Sequence, residues 1–233
     1  MTETKFTTAL IVGAGAGLSA SLARVLSKDG VKVALAARST DDLNDLAIEA
    51  GAETFSCDAA KRAEVEELFN NLDATIGAPE IVIYNASYRT RGPFAELDPA
   101  EVERSIAVTA FGAFLVAQQA VRRMLPNRRG VVLFTGASAG VKGYAQSAPF
   151  AMGKFALRGL AQSMARELHP QGIHVAHVVI DGGIRSARRA EPTDKPDSLL
   201  DPDAIAASYL HVIHQPRSVW ATEIELRPWV ERF

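Results

Sequence analysis

Short apolar runs recur along the chain with almost no polar alternation: residues 8–12 read Thr-Ala-Leu-Ile-Val and residues 80–84 read Glu-Ile-Val-Ile-Tyr. Runs of this kind suit strands covered on both faces, as in a parallel sheet. The same pattern predicts strands at 31–36, 53–56, 130–135, 173–179 and 223–226. Longer amphipathic segments separate them and predict helices near 17–28, 41–50, 60–76, 99–124, 147–169 and 203–214. Such alternation implies right-handed crossovers and an α/β fold, a doubly wound parallel sheet of about seven strands with helices on both faces. No internal repeat, low-complexity tract or linker divides residues 1–233, so one domain is expected. Residues 184–200 break the pattern. They carry Arg185, Arg188, Arg189, Pro192, Asp194, Lys195, Pro196 and Asp197 and little that could be buried. A long polar insertion after a late strand is expected to form a mobile lid over a ligand crevice.

Composition narrows the class. A chain of 233 residues with 48% hydrophobic content can bury a core between a sheet and two helix layers. A formal net charge of -2 offers no basic surface for nucleic acid or an anionic membrane, and the arginines at 185–189 are expected to be solvated. Cys57 is the single cysteine, which excludes an internal disulfide and suits a reducing compartment. At a strand end it reads as a small buried hydrophobe. The polar start Met-Thr-Glu-Thr-Lys-Phe lacks the basic and apolar regions of a signal peptide, and no apolar run reaches membrane-spanning length. A soluble cytoplasmic protein is expected.

Candidate chemistry begins where the first strand ends. Val12-Gly13-Ala14-Gly15-Ala16-Gly17-Leu18-Ser19 joins that strand to the first helix. Glycines there let the backbone turn tightly and approach a pyrophosphate, while the helix N-terminus offers unpaired N–H groups and the positive end of its dipole.

The loop resembles that of the short-chain dehydrogenase/reductase family, usually T-G-x-x-x-G-x-G. Gly13 and Gly17 take the first two glycine positions, while Val12 replaces the threonine and Ser19 the last glycine. The similarity runs over nearly the whole chain and is densest from Val131 to Gly183, through Ser163-Met164-Ala165-Arg166-Glu167-Leu168 and Gly172-Ile173-His174-Val175-Ala176. It implies a Rossmann-like domain and a nicotinamide dinucleotide. On this resemblance Gly13, Ala16, Gly17 and Leu18 line the phosphates and Asp58 contacts adenine. Asn85 and Ala86 stand in the family's N-N-A-G segment, from which Tyr84 and Ser87 depart. Gly182, Ile184 and Ser186 lie toward the nicotinamide. The second strand ends with Arg38 and Ser39 where NAD-preferring enzymes typically place a carboxylate, and a guanidinium suits a 2′-phosphate by charge and donor geometry. NADP(H) is therefore expected over NAD(H). A homodimer or homotetramer is also implied, through helices near 100–124 and 147–169, whose Phe111, Phe114, Leu157 and Leu160 fit core or interface alike.

The family handles protons with a serine after the fifth strand, a tyrosine and lysine in Y-x-x-x-K, and an asparagine in the preceding long helix. Here the motif reads Phe150-Ala151-Met152-Gly153-Lys154. Phe150 stands at the tyrosine and Lys154 at the lysine that holds the nicotinamide ribose. Ala137 falls on the serine, with Ser138 one place away, and Thr109 on the asparagine. Three of the four groups are missing. The chain is similar to a subgroup that carries phenylalanine for the tyrosine and an altered glycine loop. General acid catalysis is worth about 10²–10⁴-fold, and a phenyl ring cannot donate. Losing an aligned oxyanion donor costs another ~10²–10³. Replacement donors in the sequence are Tyr88, Tyr144, Asp181, His177 and Lys154 itself. Each has a plainer reading, as a rim aromatic, a core histidine or a turn organiser. The favoured reading is an NADP-dependent oxidoreductase with a displaced proton donor, such as one reducing an activated carbon–carbon double bond of a small molecule. The other is a catalytically silent nucleotide-binding protein, serving as a sensor or a regulatory or assembly subunit.

Overall fold

Seven strands form one sheet in the computed structural model, which describes residues 5–187 and 189–231. They are β1 (Thr8–Val12), β2 (Lys32–Ala37), β3 (Glu53–Ser56), β4 (Ile81–Tyr84), β5 (Gly130–Thr135), β6 (Ile173–Ile180) and β7 (Glu223–Leu226). Neighbours pair parallel in the order β3-β2-β1-β4-β5-β6-β7. Helices α1 (Leu18–Lys28), α2 (Asn44–Ala50), α3 (Arg62–Ala74), α4 (Pro99–Ile106), α5 (Gly112–Met124), α6 (Ala148–Leu168) and α7 (Pro202–Ile213) alternate with them. Every residue of β1, β4, β5 and β6 is buried, which is why those runs lack polar alternation.

Successive strand side chains still divide between two cores. Ala9 and Ile11 of β1 face one with Leu22 and Leu26 of α1 and Tyr209 of α7, while Leu10 and Val12 face the other with Phe69 of α3, Val116 of α5 and Leu157 of α6. The partly buried Leu160 packs against this second core as well. Aspartates start two helices. Asp98 accepts from the Ala100 N–H ahead of α4, and Asp201 from the Asp203 and Ala204 N–H groups ahead of α7, each followed by proline at the first helical position.

Several expected elements differ in detail. Helix α3 begins at Arg62 and not Ala60, because the Asp58 carboxylate accepts from the Ala60 N–H and the Asp58 carbonyl from Lys61, closing a tight turn first. Strand β2 begins one residue late, at Lys32. The helix expected over 99–124 is interrupted by a π-helical turn at Ala107–Phe111. A π turn frees helical carbonyls, and the Val108 carbonyl accepts from the buried Tyr84 hydroxyl. Gly153 of α6 packs onto the same turn, where an added Cβ would lie 2.9 Å from Thr109 Cβ.

Residues 184–200 are tethered at their base: Ile184 pairs with Leu200, and Ser186 with Arg189. Arg185 reaches the carboxylates of Asp201 and Glu191. Arg185 and Arg189 are exposed, as expected, whereas Arg188 lies outside the described residues. No helix of the described residues is long and apolar enough to cross a membrane.

Candidate active site

Strand order reverses between β1 and β4, and such a switch point opens a crevice at the carboxyl ends of the strands. Two clefts lie there. The first, about 560 Å³, is lined by Gly13, Arg38, Ser39, Asp58, Ala86 and Tyr88 among others, and the second, about 520 Å³, by Leu18, Arg89, Ala137, Ser138, Phe150 and Lys154 among others. Asn85 and Ser87 line both, so the two form one continuous trough. A separate cleft of about 450 Å³ sits at the amino ends of β5 and β6, against Gly130 and His174.

The glycine loop forms the floor of the junction. Gly13 has φ of 85°, and a Cβ there would lie 2.4 Å from the Ala86 nitrogen. Only glycine fits both demands. Gly17 lines the second cleft and has open space where a side chain would project. Helix α1 starts without a side-chain cap and without an acid in its first turn. Its first amides therefore remain available to an anion. Ser19, at the position of the missing glycine, is more than tolerated bulk. Its hydroxyl donates to the Gly13 carbonyl at 2.9 Å and accepts from the Asn85 amide at 2.8 Å. The Asn85 N–H donates in turn to the Val12 carbonyl. The buried serine thus ties the loop to the end of β4. Ala16 is exposed in the turn and lines neither cleft.

In the first cleft Arg38 is exposed. The Ser39 hydroxyl donates to Asp41 at 3.2 Å. One Asp58 oxygen is held by the Ala60 N–H at 3.1 Å. Burial, helped by Glu64 and Asp58, pushes the Cys57 thiol up to about 12, so it stays protonated.

The second cleft holds Lys154. The side chain is 3% exposed and its ammonium donates to the Thr135 carbonyl at 2.6 Å. Burial, with the Arg89 charge adding to it, lowers this lysine to about 7. The Phe150 ring is buried beside it, with Lys154 Nζ 5.7 Å from the ring centroid. The Thr135 hydroxyl bonds to buried Tyr209 at 2.9 Å. Gly182, Ile184 and Ser186 line the same cleft. Thr109 is buried under the loop after β4, where its hydroxyl accepts from the Tyr88 N–H at 3.3 Å.

Of the five replacement donors, the structure brings only Lys154 to this cleft. The Tyr88 hydroxyl donates to Glu101 at 2.5 Å and accepts from Arg104, and Tyr88 lines the first cleft instead. Tyr144 is exposed and lines neither cleft. Asp181 is buried in an ion pair with Arg227 at 3.0 Å. His177 is buried with Nδ1 3.0 Å from Glu223, and burial lowers its pKa, so it is a neutral core histidine. Gly136 packs on that ring: an added Cβ would lie 2.2 Å from His177 Nε2. Sequence reasoning missed Arg89, whose guanidinium lies 4.1 Å from the Phe150 ring centroid. The signal was present in Tyr88-Arg89-Thr90-Arg91, a cationic loop directly after Asn85-Ala86-Ser87.

Residues 7–196 match the family model for short chain dehydrogenases, and the chain belongs to that family of oxidoreductases. It is 28% identical over 226 residues to an uncharacterized oxidoreductase of Staphylococcus aureus strain N315, covering 94% of this chain and 96% of that protein. A short-chain dehydrogenase structure from Rhodopseudomonas palustris superposes with a TM-score of 0.83 at 32% identity, covering 97% of this chain and 100% of that one. A metagenomic short-chain oxidoreductase solved in complex with NADP gives 0.84 at 26% identity, covering 96% and 98%.

Proposed function

We propose that this chain is an NADP(H)-dependent oxidoreductase of small molecules in which Lys154 has taken over proton delivery. The carrying observation is that, of the five replacement donors, Lys154 alone lines the cleft whose tyrosine and serine positions are Phe150 and Ala137. The residues present fit the dinucleotide. The uncapped α1 N-terminus and the open space at Gly17 suit a pyrophosphate, and Asn85 and Ser87 join the two clefts that its halves would fill. When bound, the nicotinamide supplies or accepts a hydride. The chain's own part is the proton. Addition of a hydride to a carbonyl or an activated double bond leaves an anionic oxygen or carbon. The protonated Lys154 ammonium gives one proton to that centre, becomes a neutral amine and recovers the proton from solvent. An amine near 7 holds enough of its acid form at neutral pH to act repeatedly.

The preference for NADP(H) rests on Arg38, which is exposed in the first cleft. The relative solved with NADP supports the cofactor class. Replacing Arg38 with leucine is expected to weaken NADPH binding about 10- to 100-fold while leaving NADH within twofold, since charge-assisted hydrogen bonds contribute about 1.5–3 kcal/mol. Calorimetric titration of both nucleotides checks this. NADH binding the parent as tightly as NADPH would overturn it.

We propose further that copies of this chain assemble and that the protein is cytoplasmic. Phe111 and Phe114 stack at 6.3 Å and, like Phe155 and Met152 of α6, are exposed. Such a patch supports pairing of two copies through these helices. Phe155→Glu is expected to shift the mass in light scattering from dimer or tetramer toward monomer; a parent that is already monomeric at micromolar concentration would refute this. A single buried Cys57 supports a cytoplasmic setting.

A further inference from the structure

The second cleft has an unusual wall. Among the described residues its charged lining is Arg89, Lys154, Arg185 and Arg189, with no aspartate or glutamate. Arg185 is neutralised by its contacts with Asp201 and Glu191. Neither Arg89 nor Arg189 has a carboxylate of the described residues within salt-bridge distance. Arg91 stands close to Arg89 and adds a further positive charge. The Arg89 guanidinium is instead laid on the face of Phe150, 4.1 Å from its centroid. That contact fixes the plane of the fork through cation–π attraction while leaving its N–H groups free to bind. Phenylalanine at this position therefore does more than remove a hydroxyl: it is the platform on which an arginine is held in the crevice.

A guanidinium held beside the reacting centre, with a second one across the cleft and no acid to quench them, selects an anion of matching planar geometry. We infer that the substrate carries a carboxylate close to its reducible carbonyl or double bond, bound by Arg89 with Arg189 across the cleft. A phosphate of the cofactor is the rival ligand for these cations, but the α1 N-terminus already offers the phosphate its site. The inference rests on the reading of this trough as an oxidoreductase site and names its substrate class.

The test separates the two. NADPH association is measured first, on the parent and on Arg89→Leu. A panel of aldehydes, ketones and enones of four to eight carbons is then titrated into the NADP-loaded protein by calorimetry, each as the free carboxylate and as its methyl ester. Turnover of the same pairs is followed with NADPH. At least one carboxylate is expected to bind tenfold or more tightly than its ester. In Arg89→Leu that ratio is expected to collapse to within about twofold, with NADPH affinity within threefold of the parent. Arg89→Lys, which keeps charge but not the fork, is expected to recover part of the preference. Equal binding of acids and esters across the panel would overturn the inference, as would an unchanged preference in Arg89→Leu. A tenfold loss of NADPH affinity in Arg89→Leu would also overturn it, by assigning the guanidinium to the cofactor. Absence of NADPH association in the parent would bring down the underlying reading together with it.

Discussion

Phe150→Tyr is expected to raise NADPH-dependent reduction of a simple ketone by about 10²-fold, roughly 2.7 kcal/mol of barrier. The ring is buried in the wall of the second cleft, beside Lys154, so the added oxygen joins the group best placed to tune it. A neighbouring ammonium favours phenolate and so makes a phenol a better acid. Adding Ala137→Ser should contribute further, since Ala137 lines the same cleft and one oxyanion donor is worth ~10²–10³. The measurement is the initial rate of NADPH consumption with a ketone panel for parent, single and double variants. No gain in either would mean that a missing hydroxyl is not what limits carbonyl chemistry here.

The parallel sheet was legible because β1, β4, β5 and β6 are covered on both faces, and burial of that kind writes itself as unbroken Val, Ile and Leu. The glycine loop was legible for a related reason, as Gly13 has a backbone angle and a contact with Ala86 that other residues cannot meet. What the sequence concealed depends on side chains meeting across elements. Ser19 looked like lost freedom, yet it bridges Gly13 and Asn85, sixty-six residues apart from Ser19 in the latter case. Tyr88 follows Asn85 closely enough to suggest a donor, but its hydroxyl is turned to Glu101 on α4. The π turn could not be read from periodicity, because its partners, Tyr84 beneath and Gly153 alongside, lie on other elements. Arg89 was visible as a charge, but not as a charge resting on Phe150.

Lys154→Met is expected to abolish turnover and at the same time make the protein more stable at neutral pH. The lysine stands at about 7 in the folded chain against an ordinary value of 10.5. Between those values the unfolded chain keeps a proton that the folded chain has released, so stability rises as pH increases through this window. Below about 7 the folded chain carries the buried charge and its full cost. With 1.36 kcal/mol per pH unit, the rise from pH 7 to 10.5 amounts to at most about 5 kcal/mol. Methionine has a similar length and no charge, so the variant should lose this slope and gain a few kcal/mol at pH 7. Denaturant unfolding of both proteins from pH 6.5 to 10 measures it, and a flat difference would rule out a depressed lysine. The same depression has a consequence for binding. A dinucleotide brings phosphate charge toward the trough and should draw the lysine back toward its ordinary value. NADPH association at pH 8 is then expected to take up between about half and one proton in the parent and none in Lys154→Met, by the same linkage. Calorimetry in buffers of different ionisation enthalpy reads that number directly. Equal uptake in both proteins would place the titrating group elsewhere and remove Lys154 from the proton path.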